Sequence, residues 1–155
     1  MFRNDLQGVG RLASDLMSVR EILEGDEPEV RRLLSQLVGE GAGAFSADRV
    51  RQGRRGVVAE DGDGRALGFL YGSFLDLGVE VEGGGYIDLL VVDEQARGQG
   101  IGEALVDAWK QWLLGENIKL GFVATTDELD AARFYERCGF SLCRGPWLVW
   151  SAPSP

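Results

Sequence analysis

"YIDLLVVDEQARGQGIGEAL", residues 86–105, is the stretch on which the rest of this chain turns. Residues 86–92 are nearly continuously apolar, with Asp88 as the one acid, and read as a strand. A polar segment follows, with glycines at 98, 100 and 102. "GIGEALVDAWKQWLLG", 100–115, then reads as a helix. Ile101, Leu105, Ala108, Trp109 and Trp112 share one of its faces, and Gly115 suits its C-terminal stop.

A strand that runs through glycines into a helix suits a bound phosphate. The first amides of a helix have no partners within it. The helix dipole adds partial positive charge there, and glycines allow close approach to the backbone. The amides of Arg97, Gly98, Gln99, Gly100, Ile101 and Gly102 therefore form a candidate cradle for a pyrophosphate. The plain alternative is a turn followed by a helix start. A Walker A loop, G-x-x-x-x-G-K-[ST], is absent. The dinucleotide fingerprint G-x-G-x-x-G, counted from Gly98, fails at Glu103.

Outward from this junction the chain alternates strands and helices. "SVREIL", 18–23, reads as a first strand. Asp26 then precedes "EPEVRRLLSQLV" as an N-cap, with Pro28 in the first turn. Val30, Leu33, Leu34 and Leu37 form the apolar face of that helix. "GEGAGAFSADRVRQG" is a glycine-broken connection with a short helix at 46–52. Two strand-like runs flank "DGDG", 61–64, as a hairpin. Downstream, "IKLGFVATT" reads as a strand, and "ELDAARFYERCGF" as a short helix ended by Gly139. "SLCRGPWLVWSA" reads as one or two closing strands. The expected fold class is α/β: a mixed, mostly antiparallel sheet flanked by helices. Residues 1–17 read as an N-terminal extension, and 18–155 as a single domain.

Composition narrows the chemistry. The chain has 155 residues, 45% of them apolar, which is enough for a real core. The net charge of -9 argues against a nucleic-acid partner. No apolar stretch is long enough for a membrane span, and the N-terminus does not read as a signal peptide, so the expected location is cytoplasmic. There is no histidine, which excludes a Ser-His-Asp triad, a Cys-His dyad and a histidine-ligated zinc site. No metal is expected. Cys138 and Cys143 are the only cysteines and are expected to be buried structural thiols.

Gln95-x-x-Gly98-x-Gly100 resembles the Q/R-x-x-G-x-G/A motif of the GNAT family of N-acetyltransferases, which bind acetyl-CoA. "DLLVVD" looks like that family's fourth strand. "AARFYERCGF", 131–140, resembles its second signature, A-x-x-x-Y-x-x-x-G-F. The resemblance covers roughly residues 18–150 and is strongest over 86–140. It implies a sheet that splays after the fourth strand, with the pantetheine arm of acetyl-CoA lying in the splay. The Leu90 amide would polarise the acetyl carbonyl. Val92 would pair with the pantetheine amides, and Val91 counts with it among the cofactor-binding residues. The amides of residues 97–102 would cradle the pyrophosphate. Tyr135 would protonate the departing thiolate; its plain alternative is a core aromatic. Glu128 stands where many members carry an asparagine that contacts the cofactor, and this departure puts that contact in doubt.

Direct attack by an amine requires a base. Asp88 is the first candidate, since strict alternation would put 88, 90 and 92 on one face. Its alternative is an ion pair or cap at a strand edge. Tyr86 is the second candidate, and Glu80 and Glu82 would help to hold a cationic acceptor. The expected activity is transfer of an acetyl group from acetyl-CoA to a primary amine, with a small cationic amine favoured. The competing reading is a non-catalytic acyl-CoA-binding or regulatory domain, and a protein amino group stays open as the acceptor. Trp147 and Trp150 read as core or as a dimer surface, and the resemblance implies a homodimer.

Overall fold

A computed structural model describes residues 17–38, 54–75, 83–125 and 129–143. Among the described residues five strands and three α-helices are formed: β1 (Ser18–Glu21), α1 (Glu27–Val38), β2 (Arg54–Glu60), β3 (Ala66–Leu75), β4 (Gly84–Val92), α2 (Ile101–Gly115), β5 (Gly121–Val123) and α3 (Leu129–Arg137). The chain divides into two units, Met1–Ala124 and Thr125–Pro155, so α3 is described by itself.

In the first unit the sheet order is β1-β2-β3-β4-β5. The first four strands are successively antiparallel, and β5 runs parallel to β4. The β2–β3 connection forms as the sequence predicts. Asp61 Oδ1 accepts the amides of Asp63 (3.0 Å) and Arg65 (2.9 Å), an aspartate turn that closes the hairpin.

The helix α1 buries Val30, Leu33 and Leu34 against Val58, Phe69, Tyr71 and Val91 of the sheet. Leu37, expected on the same face, is exposed, one residue before the end of α1. Asp26 also departs from expectation. It lies in a 3-10 turn, Glu24–Asp26, and its carboxylate takes the Leu23 amide (2.7 Å) and the Arg20 guanidinium (2.7 and 2.9 Å). The first strand ends at Glu21 rather than at 23. Ile22 packs on the core while Leu23 is exposed.

The other face of the sheet receives α2. Ile101, Leu105, Trp109 and Leu113 are buried, with Trp109 1% exposed. A strand face built from large side chains would leave no space for that indole. Here the facing positions are glycines: a Cβ at Gly72 would lie 2.2 Å from Trp109 Nε1. Gly72→Ala is therefore expected to destabilise the protein by about 1–3 kcal/mol through overpacking, measured as a lowered urea midpoint. Gly115 is the last residue of α2, as expected, but the left-handed position falls two residues on, at Asn117 (φ 58°). The Ile118 amide then bonds Leu113 O at 2.8 Å and the Asn117 amide bonds Leu114 O at 3.0 Å.

The strand expected over "IKLGFVATT" is reduced to Gly121–Val123. In the second unit α3 ends as predicted at Gly139 (φ 87°). Residues 141–143 are not strand, and the rest of the closing segment, with Trp147 and Trp150, lies outside the described residues. So do residues 1–16, the expected helix at 46–52, Glu80, Glu82 and Glu128. Cys138 is buried but Cys143 is exposed, so the expectation of two buried thiols holds for Cys138 alone.

Candidate functional site

The middle of β4 departs from regular pairing. Tyr71 of β3 pairs with Leu89, but its neighbour Gly72 pairs with Ile87. Asp88 is thus the inserted residue of a β-bulge. The insertion shifts the alternation by one residue. Strict alternation predicts residues 88, 90 and 92 on a common face, and the bulge removes that relation for 88 while keeping it for 90 and 92. The Asp88 side chain is exposed. Tyr86, before the bulge, is half-buried and pairs with Ser73 and Phe122.

The bulge coincides with a parting of strands. The β5 partner accompanies β4 only along Gly85–Ile87. From Leu89 to Val92 no described strand lies on that side. The direction of the amides there follows from the ladder. Asp93 donates its N–H to Leu67 O at 2.8 Å, which makes Asp93 a bonded rung. Bonded and non-bonded rungs alternate in an antiparallel pair. Val91, opposite Phe69, is therefore bonded to β3, whereas Leu90 and Val92 are not. The N–H and C=O groups of Leu90 and Val92 point to the open edge. Val91 turns its peptide to β3 and buries its side chain against α1.

The strand leads directly into the glycine junction. Gly98 (φ 76°) and Gly100 (φ 79°) both adopt left-handed backbone. A Cβ would meet nothing within 4 Å at either position, so conformation and not space requires glycine there. Gly100 is the N-cap of α2, and no side chain caps the helix. Residues 97–100 are exposed, while Ile101 and Gly102 are buried. This helix start, reached through two left-handed glycines, has no side-chain cap on its first amides, the arrangement that suits an anion.

One residue of this region was missed as a site candidate. Asp93, between the strand and the loop, is 2% exposed. Its Oδ1 accepts the Gln95 amide at 3.0 Å, and its Oδ2 accepts Arg32 Nη1 at 2.7 Å and Arg65 Nη2 at 3.1 Å. Burial alone would raise its pKa. The hydrogen bonds from Arg32 and Gln95, with the charges of Arg32 and Arg65, outweigh that and hold it below the usual carboxylate range. An aspartate just after a strand and before a turn is a legible signal. Its arginine partner on α1 is not.

In the second unit Tyr135 lies on α3, half-buried. Its ring meets the edges of Phe134 and Phe140 at centroid distances of 5.0 and 5.5 Å. The "GF" of the second motif has a local role. Gly139 turns the chain in left-handed conformation, and the Phe140 amide bonds back to Tyr135 O at 3.0 Å. Phe140 is thereby folded onto the tyrosine ring. Among the described residues no group of three His, Cys, Asp or Glu could hold a metal ion. No helix among them is long and apolar enough to cross a membrane.

Comparison with known proteins bears on the family and the fold. No curated protein matches the chain. Among solved structures, an acetyltransferase from Trypanosoma brucei superposes with a TM-score of 0.71 at 22% identity, covering 87% of this chain and 99% of that one. An aminoglycoside acetyltransferase from an uncultured soil metagenomic sample, in complex with trehalose, has a TM-score of 0.70 at 19% identity, over 91% of this chain and 98% of its own. A transcriptional regulator from Bacillus halodurans has a TM-score of 0.70 at 23% identity, over 87% and 99%. Identities this low convey the fold alone. Residues 16–140 match the acetyltransferase (GNAT) family, and on that match this chain belongs to the GNAT family of acetyltransferases.

Proposed function

We propose that this protein is an N-acetyltransferase that moves the acetyl group of acetyl-CoA to a primary amine by direct attack. The observation that carries the reading is the open edge of β4. Its outward amides at Leu90 and Val92 run into an uncapped helix start with left-handed Gly98 and Gly100. An extended chain with amides of its own can add to such an edge as a strand. Pantetheine is a chain of this kind, and it ends in a diphosphate that suits the amides of 97–102. Arg97, exposed beside them, adds a positive charge.

In the proposed reaction the amine nitrogen attacks the thioester carbonyl carbon, and the carbon–sulfur bond breaks. The Leu90 N–H stabilises the negative charge that develops on the carbonyl oxygen. Asp88, exposed at the bulge, takes the amine proton through a water, with Tyr86 as the second candidate. Tyr135, assigned from its motif, donates a proton to the thiolate. A phenol O–H can donate a proton to a thiolate at neutral pH. The acids Glu80 and Glu82, just before β4 in the sequence, favour a small cationic amine as acceptor, and the proposed location is the cytoplasm.

The first test is isothermal titration calorimetry with acetyl-CoA, with NAD and ATP as controls. Selective binding of acetyl-CoA is expected. A folded sample that binds none of the three, or binds all alike, would remove the basis of the proposal.

A further inference from the structure

Residues 97–100 are exposed, so what holds the cradle in shape lies at its two ends. The far end is the buried start of α2. The near end, Asp93–Ala96, is tied down by several bonds. The Asp93 amide is held by Leu67 O, the Gln95 amide by Asp93 Oδ1, and the Ala96 amide by Asp93 O at 2.9 Å. Two further ties come from α1. Arg32 Nη1 bonds Asp93 Oδ2 at 2.7 Å, and Gln36 Oε1 accepts the Glu94 amide at 3.1 Å. Residues 32 and 36 are one helical turn apart on the same face. Arg32 is itself fixed from two other sides, by Glu29 Oε2 (3.0 Å) and by Ala66 O (2.6 Å). Its guanidinium thus joins α1, the start of β3 and the end of β4.

We propose that Arg32, with Gln36, is a positioning residue for the diphosphate of acetyl-CoA: it acts through Asp93 and Glu94 to set the backbone that leads into the 97–102 cradle. The proposal rests on the acetyl-CoA reading above. A row of amides binds a diphosphate only where the donors are already directed, and a misplacement of about 1 Å at such a site is costly. The tie also balances charge. Arg32 and Arg65 face Asp93, and Arg32 faces Glu29, so the buried Asp93 carboxylate is compensated where the cradle begins.

The test compares wild type, Arg32→Ala, Arg32→Lys and Gln36→Ala. Each is assayed by calorimetry with CoA and by amide hydrogen exchange, at a temperature where a melt shows it folded. Arg32→Ala is expected to weaken CoA binding about tenfold. Exchange should quicken at 94–102 while the amides of Val58 and Phe69, within the sheet, stay as protected as in wild type. Arg32→Lys should recover part of the affinity. Gln36→Ala removes one tie from the helix surface and should cost about threefold, so it keeps the proposal testable if Arg32→Ala fails to fold. Unchanged CoA affinity in the folded variants, with wild type binding CoA, would overturn the positioning role alone. Exchange that quickens equally across the sheet would do the same, because it would mark Arg32 as merely structural. Absence of CoA binding by wild type would instead overturn the acetyl-CoA reading and this proposal with it.

Discussion

Asp93→Ala is expected to cost about 3 kcal/mol of stability, the low end of the range for breaking a buried ion pair. The substitution removes the acceptor of the Gln95 amide and of two guanidinium groups from a site that is 2% exposed. The figure sits at the low end because the side chains left behind are not deeply buried: Arg32 is 31% and Arg65 50% exposed, and both can recover hydration. For a chain of this size that corresponds to a fall in Tm of about 10 °C. Asp93→Asn keeps an oxygen for the Gln95 amide and should lose about half as much. The same carboxylate predicts an acid limb. Its folded-state pKa is depressed, as is that of Asp26, which the Arg20 hydrogen bond holds down against the effect of burial. A depressed carboxylate stabilises the fold fully above its unfolded pKa of about 3.9, and that contribution is lost as pH falls through the lower folded value. Urea midpoints measured from pH 7 to pH 2 should fall at the acid end, and less steeply in Asp93→Ala. Equal midpoints for wild type and Asp93→Ala at pH 7 would show that the network contributes nothing.

Tyr135→Phe is expected to lower kcat by about 100-fold or more, within the range for loss of a positioned general acid. Acetyl-CoA affinity should stay near that of wild type. The ring contacts with Phe134 and Phe140 survive the change, since only the hydroxyl is removed. A structural role alone would therefore leave kcat intact. The assay follows thiol release with whichever amine a turnover screen identifies. Full activity in Tyr135→Phe would take the tyrosine out of the mechanism. If a protein that binds acetyl-CoA turns over no amine, the reading becomes that of a non-catalytic acyl-CoA-binding domain of the same fold.

Much of this protein was legible because the deciding interactions are short in sequence. The apolar stripe Val30–Leu33–Leu34 marks α1, since burial of one helix face needs only the 3.6-residue period. Gly98, Gly100 and Gly139 all take positive φ, a local property that glycine declares in advance. Asp61 and the hairpin it closes belong to the same class. The left-handed position after α2 was less legible, since Gly115 and Asn117 both suit it and the Ile118 and Asn117 amides, bonding back into the last turn, choose Asn117.

What the tertiary structure alone decided involves partners far apart in the chain. The bulge at Asp88 is a mismatch of register between β3 and β4, and no property of "YIDLLVV" announces it. Its consequence is that Asp88 loses the common face with Leu90 that alternation predicts. The glycines facing Trp109 come from separate strands, and only packing shows that they make space for one indole. Arg32 and Asp93 are 61 positions apart, and in sequence Arg32 is one more charge on the polar side of a helix. Local rules determine which elements form and where the backbone must bend. The register between strands, and the pairing of a surface arginine with a buried aspartate, are settled only when the elements pack, because their energy depends on distances that the chain order does not encode.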